Sequence, residues 1–334
     1  MTQTPDLIDG QPVPTLDAIR ELAGALKPYV YATPTLDKDA LSTLPDARIN
    51  FKFELLQASG TFKTRGAFSN LLALGADQRK AGVTCVSAGN HAVAVAYAAM
   101  KLGIGAKVVM IKTASPFRVG LCHQYGAEVV MADNGAAAFE RVHQIEKEEG
   151  RFFVHPFNGY RTVLGTATLG YEWATQAPKL DAVIVPIGGG GLMAGVATAF
   201  KLVQPGCKVY GVEPEGADAM AQSFRTGGPI KMGPMQGIAD SLMAPHTEAY
   251  SYTLCRRNVD QLVTVSDDQI RRAMVNLFEE LKLSPEPACA AATAGLLGPL
   301  REQLKGQRVG VLLCGTNTDL GTLTKHLDAA RALP

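Results

Sequence analysis

No two of the six cysteines in this chain stand as a CxxC pair; Cys85, Cys122, Cys207, Cys255, Cys289 and Cys314 are scattered over 334 residues. That spacing argues against a disulfide framework and reads as buried thiols in a reducing, cytoplasmic setting. Basic runs and aromatic–basic clusters are also missing, and the formal net charge is only +1, so nucleic acid is not an expected partner. No apolar run is long enough to span a bilayer, and the N-terminal MTQTPDLIDGQPVP has no basic-then-apolar leader. Neither a membrane nor export is therefore expected. Repeats and low-complexity tracts are absent, and too little chain follows the last apolar strand for a regulatory domain.

What the chain does have is 47% hydrophobic residues and 34 glycines, enough for a large core shared by two lobes. Apolar β-branched runs at 83–87, 106–111, 127–131, 181–187, 208–213 and 308–314 alternate with alanine-rich helical stretches at 91–103, 135–150 and 191–203. Short, unalternating apolar strands separated by helices predict an α/β protein with mostly parallel sheets buried on both faces. Right-handed crossovers are expected between them. The segment HPFNGYR, 155–161, reads as a linker that closes an inserted lobe. The expected organisation is a large domain of 1–76 with 158–334 and a small domain, 77–157, inserted in it.

Four motifs carry chemistry. The first is Ser59-Gly60-Thr61-Phe62-Lys63-Thr64-Arg65-Gly66-Ala67. The apolar spacing from Phe62 predicts a helix that Thr61 caps, with Lys63 near the positive end of its dipole. A lysine so placed loses its proton easily and is a candidate Schiff-base nucleophile. Taken alone, a solvated helix-start lysine is the plainer reading. The second motif is Ser87-Ala88-Gly89-Asn90-His91, a small-residue turn after a strand, whose amides suit a carboxylate. Asn90 adds an amide for a hydroxyl or phenolate oxygen; an ordinary N-cap is the alternative, with His91 structural.

The third is Gly188-Gly189-Gly190-Gly191 between a strand and a helix, a backbone nest for a phosphate. The same residues fit GxGxxA, with Glu213 ending the next strand as a ribose-binding acid, so an NAD(P)-dependent oxidoreductase is a competing reading. The fourth is Cys314-Gly315-Thr316-Asn317, where the thiol either meets a heteroaromatic nitrogen or is a buried small side chain. Together, a lysine, an amide, a glycine nest and a thiol at strand C-terminal ends match the functional groups of pyridoxal phosphate.

In combination and order, these motifs resemble the serine/threonine dehydratase and serine racemase family of type II pyridoxal-phosphate enzymes. The likeness runs from KFELLQASGTFKTRGA through SAGNHA, HPFNGYRTVLGTATLGYE, PIGGGGLMAG, GVEPEGAD, GIAD and EPACAA to LLCGTN. It implies two lobes with the cofactor between them, Lys63 as the Schiff-base lysine and Phe62 beside the ring. It also implies Asn90 on the ring oxygen, Gly188, Gly189, Gly190 and Gly191 on the phosphate, and Cys314 on the ring nitrogen. Ser87, Ala88, Gly89 and His91 would hold the substrate carboxylate, with Glu286 near the cofactor. The implied protein is a homodimer whose partner is a small amino-acid substrate. The implied reaction is β-elimination from a β-hydroxy amino acid, with L-threonine or L-serine as default substrate, releasing a 2-oxo acid and ammonia.

Departures from the family bear on substrate and side activities. Racemases of the family carry a serine where Ala88 stands, and a methyl group moves no proton, which disfavours racemisation. Members that bind a divalent cation use residues matching Glu213, the backbone of Ala217 and an acid at the position of Ala219, so the metal site is incomplete. The segment SPFRVGLCHQYGAEV lacks the customary lysine, and Arg118 is the nearest cation. These changes leave 3-hydroxyaspartate and phenylserine open as substrates.

Overall fold

Charge is kept to the ends of the core strands, and their interiors are buried on both faces, which is what a parallel sheet between helices requires. The computed structural model describes residues 6–333 apart from 42, 45 and 47. A hairpin of β1 (Leu7–Ile8) and β2 (Gln11–Pro12) precedes α1 (Leu16–Leu26), β3 (Thr35–Lys38) and β4 (Arg48–Lys52). Helices α2 (Lys63–Leu72) and α3 (Ala76–Ala81) follow. Then strand and helix alternate: β5 (Val83–Val86), α4 (Asn90–Leu102), β6 (Ala106–Ile111), α5 (Pro116–Gln124), β7 (Glu128–Ala132), α6 (Gly135–Glu149) and β8 (Phe152–Phe153). The chain returns through α7 (Tyr160–Gln176), β9 (Ala182–Pro186), α8 (Gly191–Val203), β10 (Lys208–Pro214), α9 (Ala219–Thr226) and α10 (Ala249–Asn258). It ends with β11 (Gln261–Val265), α11 (Asp267–Leu281), α12 (Pro287–Leu297), β12 (Arg308–Leu312) and α13 (Leu320–Arg331).

These strands make an α/β fold with two main sheets. One has the order β11-β10-β9-β12-β4-β3, parallel except for the β3–β4 edge pair; the other has the order β7-β6-β5-β8 and is parallel throughout. The larger apolar core surrounds the six-stranded sheet, and α12 in its midst is apolar all round and buried along its length. A second core joins α1, α2 and α4 to β5 and β6 and takes Leu164 and Ala199 from α7 and α8.

Three strand ends set the site. Val86 leads into Ser87, Pro186 into the glycine run, and Leu312 into Cys314, all at carboxyl ends, where open α/β sheets hold ligands. A buried ionic network fixes the start of α2 beside them. Arg65 Nε donates to Glu54 at 2.6 Å and its Nη2 to Glu172 at 3.0 Å, while Lys52 Nζ donates to Glu172 at 2.6 Å. Because these partners come from β4, the turn after it and α7, the first turn of α2 cannot slide without exposing a buried charge.

Candidate active site

Lys63 is the first helical residue of α2, and Phe62, with helical backbone angles and no side-chain cap bond, holds the cap position. The expected Thr61 cap is therefore not formed; its Oγ1 makes only a long contact of 3.4 Å with the Lys63 amide. The reason is a second set of bonds: Phe62 N donates to Cys314 O at 3.1 Å and Thr316 N to Gly60 O at 2.9 Å. This turn is stitched to the end of β12, which brings the first and fourth motifs together. Lys63 Nζ donates to Pro156 O and lies 5.2 Å from the centre of the Phe62 ring. Burial lowers the ammonium to about 8, opposed only in part by Cys314. Desolvation is the largest cause.

The second motif folds as a turn in which Ser87 Oγ accepts from Gly89 N at 3.1 Å. Asn90 is the first residue of α4, and its amide is held in one orientation: Nδ2 donates to Glu286 Oε1 at 2.6 Å, and Oδ1 accepts from Asn317 Nδ2 at 2.7 Å. The second Nδ2 hydrogen has only a long contact, 3.4 Å to Ser241, and remains available to an oxygen in the cavity. His91 bonds the Val154 carbonyl through Nε2 at 2.8 Å; a carbonyl only accepts, so Nε2 carries the proton. Burial pushes this ring down to about 3, so it is neutral.

Gly190 has φ of +92°, a left-handed conformation that favours glycine. Phe157 lies against its neighbours: a Cβ at Gly189 would overlap the Phe157 ring, and one at Gly191 would overlap the Phe157 carbonyl. The run is thus side-chain-free for steric reasons and opens α8 with first-turn amides that have no partner within the helix. Cys314 is buried, and a hydrogen bond with Cys289, then burial, hold its pKa well above the thiol range, so it is an S–H group. Glu286 precedes α12 and accepts from both Asn90 and Arg118; burial raises it to about 7, with Arg118 opposing.

These residues share one cavity of about 420 Å³: Phe62, Lys63, Ser87, Ala88, Gly89, Asn90, His91, Gly188, Gly189, Gly190, Gly191, Glu286 and Cys314 all line it. Arg118 lines it too, from α5. Its Nε donates to Asn317 O at 2.9 Å, and its Nη2 to Glu286 at 3.2 Å and Asp240 at 3.2 Å. The sequence names Arg118 only as a stand-in for a missing lysine and Asp240 only within the GIAD segment, and it does not single out Phe157 or Phe139 as site residues. Phe139 had a signal: it is the lone aromatic near the start of an alanine-rich helix, at the strand ends where ligands sit.

Two alternatives lose their footing. Glu213 spends both oxygens on the start of α9, accepting from Met220 N at 2.8 Å and Ala221 N at 2.7 Å. Burial raises it to about 8. It therefore serves as a helix-start acceptor rather than a ribose-binding acid. Among the described residues, His155, His246 and Glu248 have possible ligand atoms within 4.8 Å of one another. His155 Nδ1, however, accepts from Phe157 N at 3.3 Å and Asn158 N at 3.0 Å, so its proton is on Nε2. Neither nitrogen has a free lone pair for a cation. The cavity's donors instead fit pyridoxal phosphate: unpaired amides for phosphate, an oriented Nδ2–H for the ring oxygen, a thiol for the ring nitrogen and a lysine with a lowered pKa.

Comparison with known proteins agrees. Residues 26–315 match the family model described as pyridoxal-phosphate dependent enzyme. The phenylserine dehydratase of Ralstonia pickettii is 71% identical over 320 residues, covering 96% of this chain and 98% of that one. The L-threo-3-hydroxyaspartate ammonia-lyase of Saccharomyces cerevisiae is 35% identical, covering 92% and 94%. Among solved structures, maize serine racemase superposes with a TM-score of 0.89 at 34% identity, covering 96% of this chain and 99% of that one.

Proposed function

The chain belongs to the pyridoxal-phosphate dependent enzymes, and on that premise we propose that it is an ammonia-lyase converting a β-hydroxy amino acid to a 2-oxo acid and ammonia. The observation that carries the reading is Lys63, a half-buried amine lowered to about 8 that lines a cavity whose donors match the cofactor. Bound pyridoxal phosphate supplies the electron sink that makes the substrate's Cα–H acidic and lets the β-hydroxyl depart. In this assignment Gly188 to Gly191 and the first amides of α8 would hold its phosphate, Asn90 its ring oxygen and Cys314 its ring nitrogen, with Phe62 beside the ring.

Substrate handling falls to the chain's own groups. The Ser87–Asn90 turn receives the substrate carboxylate, with neutral His91 behind it. Lys63 takes the Cα proton once its amine is free, since a group with pKa near the working pH is an effective base. The hydroxyl leaves the β-carbon as water, and hydrolysis of the resulting enamine gives the 2-oxo acid and ammonium. Ala88 lines the same cavity with a methyl group, so a second proton-transfer group is missing there and racemisation is disfavoured. The 71% identical relative is named for phenylserine, which makes a 3-aryl substrate our reading over the default L-threonine or L-serine.

We further propose a cytoplasmic homodimer with 77–157 as the smaller, inserted domain. Six buried free cysteines support a reducing setting, and no helix among the described residues is long and apolar enough to cross a membrane. The test is the absorbance of the purified holoenzyme while phenylserine and then L-threonine are added, with 2-oxo acid and ammonia assayed. A shifting cofactor band with stoichiometric 2-oxo acid is expected. Interconversion of isomers without 2-oxo acid would turn the reading to a racemase.

A further inference from the structure

Besides its polar groups the cavity is lined by an apolar wall. Val109 and Ile111 of β6 and Ala138 and Phe139 of α6 come from one side, and Met243 and Pro245 from the other. We propose that this wall is the subsite for the group on the substrate's β-carbon, that it takes an aryl ring, and that Phe139 sets the preference. The proposal rests on the dehydratase reading above and adds the residue that selects among its substrates.

Chemistry decides between the side chains the sequence left open. A second carboxylate, as in 3-hydroxyaspartate, needs a cation or several donors at its far end. None of the six wall residues carries a charge or a side-chain hydrogen-bond donor. The cations lining the cavity are Lys63 and Arg118, and Arg118 already faces Asp240 and Glu286. Those two acids would repel a second substrate carboxylate. A methyl group or a hydrogen, as in threonine or serine, would leave the wall facing water, so the apolar surface would contribute little. An aromatic ring covers it.

Phe139 is also placed for ring contact. It is half-buried, and its ring centre lies 6.2 Å from that of His246, which in turn lies 5.4 Å from that of Phe157. Such separations are those of favourable aromatic pairs. His246 is fixed by Glu248, 3.0 Å from its Nε2. Phe139 therefore belongs to a set of ring contacts beside the cavity that it lines, and a substrate ring would add one more member.

The experiment compares wild-type and Phe139→Ala holoenzymes on phenylserine, L-threonine and 3-hydroxyaspartate, with Phe139→Leu as a variant that keeps apolar bulk. Binding of L-phenylalanine, which has no β-hydroxyl to lose, is measured by calorimetry. Phe139→Ala is expected to lose roughly 10- to 100-fold in kcat/KM for phenylserine, with threonine little changed and L-phenylalanine weakened in parallel. Phe139→Leu should fall between. Equal losses on phenylserine and threonine, or unchanged binding of L-phenylalanine, overturn the role of Phe139 and leave the aryl reading standing. A wild-type enzyme that deaminates threonine and ignores phenylserine overturns the aryl reading itself, and one that deaminates none of the three overturns the dehydratase.

Discussion

Lys63 was legible as a motif, but its chemistry was not. The sequence puts a lysine at a helix start, and that position alone suggests a modest dipole effect or a solvated side chain. What lowers its pKa to about 8 is desolvation where it packs against Phe62 and the Pro156 carbonyl, and that packing depends on residues far away in the chain. The folded value lies below the ordinary lysine value of 10.5, so between the two the unfolded apoprotein binds more protons. Stability of the apoprotein should accordingly rise with pH across that window, and the folded chain carries the cost of a buried ammonium below it. In its proposed role the same amine must be neutral to attack the cofactor's aldehyde. The rate at which apoprotein takes up pyridoxal phosphate, followed by absorbance, is expected to rise with pH and reach half its maximum near 8. A midpoint close to 10.5 would mean that Lys63 is solvated after all.

Among elements, those with strong local patterns were readable and those depending on distant partners were not. The β-branched runs at 106–111 and 208–213 became β6 and β10 with boundaries within one residue, because a strand buried on both faces needs little more than its own composition. β4 went unread for the opposite reason. Its RINFK carries a charge at each end, and Lys52 is buried only because Glu172 and Gln176, more than a hundred residues later, accept from it at 2.6 and 2.8 Å. β11 and the two-residue β8 are too short or too polar to stand out, and β11 depends on pairing with β10. The start of α2 shows what such distant bonds do. Replacing Arg65 by methionine leaves Glu54, fully buried, without its cation, and breaking a buried pair typically costs about 3–5 kcal/mol. Urea unfolding of Arg65→Met should show a loss of that order, and with it weaker cofactor retention, since Lys63 lies two residues away. A variant as stable as wild type would show that the network does not anchor the helix.

At the scale of the whole molecule, one side chain spans the cleft with unusual economy. Arg118 belongs to α5, which packs with the four-stranded sheet, yet every side-chain bond it makes goes to the other side: Asn317 after β12, Asp240, Ser241 and Glu286. Glu286 in turn orients Asn90 at 2.6 Å, so the contact that closes the cleft also sets an amide of the proposed cofactor site. Sequence could not show this, because all four partners lie more than a hundred residues after Arg118 and meet it only when both sheets have formed. Loss of the guanidinium has two consequences with different readouts. The cleft loses its cross-link, so amide exchange in α5 and at 238–243 should accelerate by more than the small change in global unfolding explains. Glu286, already raised to about 7 by burial, loses the cation that opposes the rise and should titrate higher still. In Arg118→Met, activity that depends on ionised Glu286 should therefore fail at a higher pH than in wild type as the solution is acidified, and Arg118→Lys should move the acid limb part of the way back. An acid limb that stays in place in Arg118→Met, with exchange in α5 unchanged, would reduce Arg118 to a residue buried for packing alone.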